Sequence, residues 1–441
     1  MRKLVTLTTA FLLLSLLAHA QADSSKHSID IGVNLLAHGE ICGGGLPRAS
    51  QSTEKRSAFL LGRTRLKADY RQNGWLQMHL VLQNSAIWGM QGNQALNLYE
   101  GWARFQSRGG LFAQVGRVAL SYDDERIIGP NDFANASRSH DALRIGYEGH
   151  GHKVHAIFAY NQNGSNVYHG TYYVNGAQPY KSMQTLWYHY DVPVFPLGAS
   201  LLFMNMGLQA GVEGSVDDAP RVAYQQMYGA YLNYHPRYMT VEASYYRQSG
   251  QHVFDFMSTS PIRAWMASLK ATVKPWDRYG FVLGYDYLSG DDYVPVTYGG
   301  PLGLPRHQVL GGFTPINGSR TQFYGLLDYF YQSAYVNGFT PGLQNAFLGA
   351  SGTLWKSLSC SATYHYLAVA TQLKDLNSTL GHSVELQLKY VFSPDVSLSV
   401  GYTQMSGTET MAILKREGGS NQANWGWVSL VVSPTVFSKM W

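Results

Sequence analysis

The feature that most restricts the fold is a strict alternation of apolar and polar residues along many short segments. In residues 76–83, 383–390 and 396–403 every second side chain is apolar; examples are Leu76, Met78, Leu80, Leu82, Val384, Leu386, Leu388, Val396, Leu398 and Val400. Because successive side chains of a β-strand point to opposite faces, this pattern predicts strands with one apolar and one polar face.

The connections between these segments alternate in length. Short turns, such as residues 72–74 and 393–395, are followed by long polar loops, such as residues 37–56 and 119–138. This alternation is typical of outer-membrane barrels, which have short periplasmic turns and long extracellular loops. About eight turns and nine loops predict an all-β, transmembrane antiparallel barrel of about 18 strands, with 16 as the lower count and both termini periplasmic.

The N-terminus has the pattern of a secretory signal. Arg2 and Lys3 precede an apolar run at residues 4–17, and small residues at Ala18 and Ala20 form a cleavage site. We therefore expect a signal peptide at residues 1–20 and one barrel domain at residues 21–441, located in the outer membrane of a Gram-negative bacterium. The expected partners are outer-membrane lipid and the barrel-assembly machinery, which would read the aromatic C-terminus at Trp441.

Composition supports a membrane barrel. The chain has 31 Tyr, 18 Phe and 10 Trp, and only 14% of its residues are charged, whereas soluble domains usually carry about a quarter. Without Arg2 and Lys3 the net charge falls from +5 to +3, since 31 basic residues then face 28 acidic ones. That excess is too small to indicate a nucleic-acid partner. The short stretch before the first predicted strand, residues 28–36, leaves no room for a plug domain, which predicts passive transport.

Charged residues on the polar strand faces are candidates for the substrate path through the lumen: Arg63, Arg65, Lys67, Glu100, Arg104, Arg144 and Lys270. Arginine offers planar, bidentate donors to carboxylates, so a ladder of such residues along one wall would guide an anionic chain. The alternative is that these are ordinary lumen charges that pair with nearby carboxylates.

The loop at residues 119–138 is unusually rich in charge for a connector. Together with its flanking strands it carries Arg117, Asp123, Asp124, Arg126, Asp132, Arg138 and Asp141. We predict a loop lattice, in which these residues hold the loop together through charge-assisted hydrogen bonds, with direct substrate contact as the alternative. Arg117 shares a strand face with Ala113 and Val115, which places it at a strand end or on a bulge. The longest loop, residues 289–343, is predicted to fold inward and constrict the pore.

The sequence carries no pattern of a known catalytic site. It lacks GxSxG, P-loop and HExxH motifs, and its histidines do not have metal-ligand spacing. Its two cysteines, Cys42 and Cys360, form no metal or disulfide framework. We therefore predict no enzyme activity, no bound metal and no cofactor.

Several short motifs together resemble the alginate-export family of outer-membrane barrels, particularly relatives of the Bacteroides type. They are QNSAIWG at residues 83–89, YEGW at 99–102, GR at 116–117, YDDER at 122–126, DA at 141–142 and FYGLLDYFY at 323–331. The resemblance implies an electropositive, arginine-lined channel, with Arg63, Arg104, Arg117, Arg126, Arg138 and Arg144 at matching positions. The first strand departs from the family by lacking arginines.

Together these observations predict a passive channel for anionic solutes, such as an acidic oligo- or polysaccharide like a polyuronate. The alternatives are a general or neutral-sugar porin and, from a different class, a barrel enzyme or surface binding protein. Arginines without matching carboxylates would favour the anion channel, whereas arginines facing Glu or Asp would favour the general porin. A Ser–His pair facing lipid would favour the enzyme.

Overall fold

The computed structural model describes most of the barrel: residues 26–43, 57–90, 96–133, 137–162, 180–210, 221–253, 259–291, 309–325, 330, 340–373, 376–416 and 421–441. The predicted signal peptide and parts of the long loops, including much of residues 289–343, lie outside the described residues.

The described chain is almost entirely β-strand, as the alternating pattern requires. The strands are β1 His27–Gly43, β2 Ser57–Gln72, β3 Leu76–Ile87, β4 Leu96–Gln106, β5 Leu111–Val118, β6 His140–Gly149, β7 His152–Tyr160, β8 Ser182–Asp191, β9 Leu197–Ala210, β10 Arg221–Tyr234, β11 Met239–Val253, β12 Thr259–Trp276, β13 Tyr279–Leu288, β14 Leu343–Trp355, β15 Leu358–Ala368, β16 Thr379–Ser393, β17 Val396–Gly407, β18 Gln422–Val432 and β19 Thr435–Met440. A short helix, α1 (Glu409–Arg416), packs on β16 and β17.

The sheet closes on itself into a barrel. Strands β1 to β18 each pair antiparallel with the next, and β1 pairs with both β18 and β19. Pro434 separates β18 from β19, because proline has no N–H to give to the ladder. The two form one broken closing strand, so the predicted barrel of about 18 strands is confirmed.

The outer face of the barrel is apolar. On β16, Val384, Leu386 and Leu388 are 44–49% exposed, while Ser383 and Glu385, at alternate positions, are buried on the lumen side. Exposed aromatic residues cluster near the short turns: Phe195, Tyr238, Trp276, Tyr279, Trp355 and Phe392. Such an aromatic girdle lies at the level of a membrane interface. The predicted outer-membrane location is confirmed by this barrel type.

Among the residues that the structure describes, no helix has the length and apolar character needed to cross a membrane.

Two loop segments lie inside the barrel. The first inner segment is residues 119–133, between β5 and β6, and the second inner segment is residues 309–325, between β13 and β14. They pair through a parallel bridge between Ile128 and Asn317, and a hydrogen bond joins the Gly129 amide to the Asn317 carbonyl at 2.8 Å. The described part of the longest loop therefore occupies the lumen, as the sequence predicts.

An apolar core forms between the first inner segment and one wall of the barrel. Leu120, Ile127 and Ile128 pack among lumen-facing side chains of β8 to β12: Met183, Met204, Met206, Met227, Tyr246 and Met266. Each fully buried apolar side chain contributes about 1.5–3 kcal/mol. Burial of this core holds the segment against the wall.

The orientation of β16 gives a direct test of the fold. Leu386→Arg places a cation on the lipid face near the middle of the strand and should lower the free energy of unfolding by about 2–4 kcal/mol. Gln387→Arg, the matched control one residue along, faces the lumen and should have a much smaller effect. Urea unfolding from lipid vesicles measures both; equal losses would contradict this orientation.

Candidate functional site

The first anchor of the inner segment is formed on β2. Arg65 Nη2 lies 2.7 Å from Asp132 Oδ1, and Arg63 Nη1 donates to the Asp132 carbonyl at 2.8 Å. Both guanidinium groups also donate to Ser137 Oγ, at 2.7 Å from Arg65 and 3.0 Å from Arg63. Arg65 stacks over Tyr99 at 4.1 Å. These contacts fasten the end of the first inner segment to the wall.

Asp132 is held ionised by these partners. Burial acts to raise the pKa of Asp132, but the hydrogen bond from Arg65 and the charge of Arg63 outweigh burial and hold that pKa below its ordinary value. A carboxyl with a lowered pKa stabilises the folded state above its unfolded pKa and loses that contribution as the pH falls through the folded pKa. The Asp132 carboxylate of the first anchor is therefore ionised at neutral pH.

The second anchor lies on β12 and β13. Arg126 Nη1 lies 2.9 Å from Asp286 Oδ1 and 3.1 Å from the Tyr324 hydroxyl, while its Nη2 donates to Ser268 Oγ at 3.0 Å. Asp124 accepts from Arg126 Nε at 3.2 Å. The Arg126 guanidinium also stacks 4.4 Å from the Phe323 ring centroid. One side chain thus joins both inner segments to the wall.

Arg126 is buried with its charge compensated. Burial acts to lower the pKa of Arg126, but the charges of Asp286, Tyr324 and Asp124 outweigh it and raise that pKa well above its ordinary value. Removing one partner of such a pair leaves an uncompensated buried charge, which costs about 3–5 kcal/mol.

Asp123 reaches a third part of the wall. It accepts from the Trp187 indole at 3.1 Å on β8 and from the Tyr246 hydroxyl at 3.4 Å on β11. Burial raises the pKa of Asp123, against hydrogen bonds from Ser200 and Trp187 that lower it. The first inner segment is therefore attached around much of the barrel circumference.

The two inner segments are also joined to each other by polar contacts. Glu125 accepts from Ser319 Oγ at 2.9 Å, and Asn131 accepts from the Arg320 amide at 3.0 Å. Arg138 donates to the Gly318 carbonyl at 2.9 Å. The segments thus form one body, which we call the inner loop body.

The backbone of the first inner segment takes unusual conformations. Asp123, Glu125 and Asn131 have φ values of 52°, 65° and 51°, in the left-handed region that side chains other than glycine seldom adopt. Such backbone conformations are kept only where contacts with the surrounding structure hold them. Here the contacts just described fix the side chains of all three residues.

The other predicted lumen charges lie on the strand walls. Arg104 pairs with Glu148 at 2.8 Å, and Lys270 pairs with Glu242 at 2.5 Å. Glu100 accepts from the Ala119 amide at 3.1 Å and so holds the start of the first inner segment.

Two of the predicted lumen cations, Arg144 and Lys67, differ from the rest in their distance from carboxylates. Arg144 is hydrogen bonded to Gln114 and to Tyr122. Neither Arg144 nor Lys67 is within ion-pair distance of a carboxylate in the described part of the chain.

Arg117 and Asp141 do not join the loop lattice. They are opposite each other on β5 and β6, where Arg117 binds the Asp141 carboxylate bidentately at 2.8 and 2.7 Å. Arg117 lies on the face of Val115, and Asp141 on the face of Leu143, which are outer-face residues. Arg117 is thus near the end of β5 that leads into the first inner segment, as its parity in the sequence indicated, but it lies outside the lumen.

Sequence reasoning missed the wall residues that receive the inner loop body. Asp286 and Ser268 were not singled out, and neither was Glu148, the wall partner of Arg104, although each occupies the polar face of a predicted strand. Their lumen-facing parity was the available signal. Among the described residues no group of His, Cys, Asp and Glu has the arrangement of a metal site.

The second anchor gives the sharpest mutational test of this arrangement. Arg126→Ala leaves Asp286 buried and unpaired, so residues 119–133 should become accessible to added protease in proteoliposomes, with a loss of about 3–5 kcal/mol in stability. Lys153→Ala is the control, since it breaks an exposed pair with Asp191 at 3.1 Å and should cost less than about 1 kcal/mol. Equal protease protection of Arg126→Ala and wild type would contradict the role of this anchor.

Solved structures share the complete fold. OccK11 (OpdR) of Pseudomonas aeruginosa superposes with a TM-score of 0.57 at 12% identity, over 94% of this chain and 96% of that chain. A BenF-like porin from Pseudomonas fluorescens Pf-5 gives 0.60 at 11%, over 92% and 99%. OpdO of Pseudomonas aeruginosa gives 0.58 at 12%, over 96% and 99%. No protein-family model and no curated protein matches the sequence.

These comparisons correct the family resemblance. The structures just named match more than nine tenths of the chain and are Pseudomonas porins, so the resemblance to the alginate-export family is wrong. The motifs behind it are short and lie mainly around residues 83–142, whereas the structural match spans the chain. The prediction that the protein is not an enzyme agrees with these porin neighbours. The chain folds as an 18-strand outer-membrane barrel of the porin type.

Proposed function

We propose that the protein is a passive general porin for small polar solutes, with a pore narrowed by the inner loop body. The observation that carries this proposal is the pairing of charges at the constriction. The porin neighbours support a channel of this kind, and the two inner segments lie against the inner wall of the closed barrel.

The charge pairing argues against a continuous anion path. Arg63 and Arg65 share Asp132, while Arg126 is bound to Asp286 and Asp124. On the strand walls, Arg104 and Lys270 each have their own carboxylate, Glu148 and Glu242. The electric fields of two neighbouring charges of opposite sign largely cancel beyond a few ångströms, and dissolved salt screens the residual field. A solute passing the inner loop body therefore meets a polar surface of mixed sign.

The pairing also determines how selective the pore can be. A pore selects anions over cations, or the reverse, when rings or ladders of side chains with charge of one sign line it. Only Lys67 and Arg144, of the seven predicted path residues, are cations without a carboxylate in the described part of the chain. Two such cations support a weak anion preference and no exclusion of cations.

The reversal potential in a planar bilayer tests the proposal. Under a KCl gradient the wild type should show little discrimination between K⁺ and Cl⁻. Arg65→Gln should shift the reversal potential toward cation selectivity, because Asp132, whose side chain is 51% exposed, loses its main partner. Arg65→Lys keeps the charge and is the matched control.

Strong anion selectivity in the wild type, abolished by Arg65→Gln, would contradict the general porin and restore the anion path. A protein that folds and inserts but does not conduct would contradict the channel itself.

A further inference from the structure

The lumen also contains a group of cations that the constriction does not use. Lys274, Arg278 and Lys389 line one cavity of about 330 Å³ beside the turn between β12 and β13. In the described residues none of the three is within 4.0 Å of a carboxylate. Because short turns face the periplasm, this cavity, which we call the mouth cavity, lies at the periplasmic end of the barrel.

The positions of these residues follow from strand register. Lys274 is four residues after Lys270, and Lys389 is four residues after Glu385, so both share the lumen-facing parity of their strands. Lys274 lies beside Gly280 on the neighbouring strand: a Cβ on that glycine would be 3.5 Å from Lys274 Cγ and 2.9 Å from Ser351 Oγ. The lysine stem and the Ser351 hydroxyl therefore lie next to each other in the mouth cavity.

Between the cations lies a surface of small hydroxyl groups. Ser351 pairs with Ser361, and Thr353 pairs with Ser359, on the adjacent strands β14 and β15. Ser359 in turn pairs with Lys389, and Ser361 with Gln387, on β16. These paired rows place hydroxyl and amide groups side by side, with the cations at their edges.

The mouth cavity has a net positive charge. Its lining has three cationic side chains and a single acidic one, Asp277, so its formal charge is +2 (3 − 1). This contrasts with the constriction, where each of the anchoring arginines has a carboxylate partner. A cavity of this volume is at the lower end of the range that holds small molecules.

We propose that the mouth cavity is a weak binding site for a small polyhydroxylated anion, a sugar carrying a carboxylate or phosphate. The cations would hold the anionic group through charge-assisted hydrogen bonds. The serine and threonine hydroxyls, which both donate and accept, match the hydroxyls of a sugar. A site in a conducting pore is required to bind weakly so that the solute can leave. The inference deepens the proposed function, since it names a solute that such a pore would favour at its periplasmic end.

Equilibrium binding to the full-length, detergent-solubilised protein tests the site without requiring conduction. Gluconate is the probe, titrated by calorimetry or saturation-transfer NMR at low salt, where charge interactions are least screened. Glucose has the hydroxyls without the charge, and acetate has the charge without the hydroxyls. Both should bind at least about tenfold more weakly than gluconate, since each lacks one set of contacts.

Variants identify the residues. Lys274→Gln and Lys389→Gln should each weaken gluconate binding by about tenfold, because each removes one charge-assisted contact. Lys356→Gln is the matched control: it removes the same charge from a turn at the same end of the barrel, outside the lining of the mouth cavity. This control should bind gluconate like the wild type.

The proposal is overturned by any of three results: no gluconate binding to the wild type, acetate binding as tight as gluconate binding, or unchanged binding in both lysine variants. Its failure is distinct from failure of the channel. Lysine-dependent binding without conductance would sustain the site and reject the pore, whereas conductance without binding would do the reverse.

Discussion

The interior of this barrel depends on two buried guanidinium anchors at distant points of the wall. Arg65 on β2 holds Asp132 of the inner loop body, and Arg126 of that body binds Asp286 on β13. A buried charge is tolerated only with a partner of opposite sign, so each anchor fixes the position of the chain that carries it. With both anchors and the Asp123 and Glu125 contacts in place, the first inner segment has little freedom, which explains why three of its residues keep left-handed backbone conformations.

The apolar wall explains a feature that simple alternation does not anticipate. A porin lumen is expected to be polar, yet Met183, Met204, Met206 and Met266 face inward on β8, β9 and β12 and are fully buried. They are covered by Leu120, Ile127 and Ile128 and therefore do not contact water. Methionine is unbranched and adapts to irregular surfaces, which suits contact between a strand wall and a loop. The polar path is thereby left to the remaining part of the lumen.

The sequence predicts the barrel well, because strand parity is a local property. Arg63, Arg65 and Lys67, which the sequence pattern assigns to a polar strand face, lie on the lumen face of β2, Ser57–Gln72. The charge of residues 119–138 likewise indicates a loop held in place by hydrogen bonds and ion pairs.

The wall residues that bind this loop could not be predicted. Asp286 is 160 residues from Arg126 in sequence, and only closure of the barrel brings the two together. Charge counted along the chain therefore suggested an arginine ladder, whereas the fold supplies each anchoring arginine with a carboxylate. The family resemblance failed because its short motifs cover only part of the chain, whereas the match to the Pseudomonas porin structures spans more than nine tenths of it.

We propose the inner loop body as the element that sets the size and charge balance of the pore. Single-channel conductance of a doubly unfastened variant, Arg65→Gln with Arg126→Gln, measures this most directly, once correct folding is verified by heat-dependent migration. Release of both anchors should raise the conductance above that of wild type and of either single variant, with frequent fluctuations as the segments move. A folded double variant with the steady conductance of wild type would contradict the central claim, because the loops would then not limit the pore.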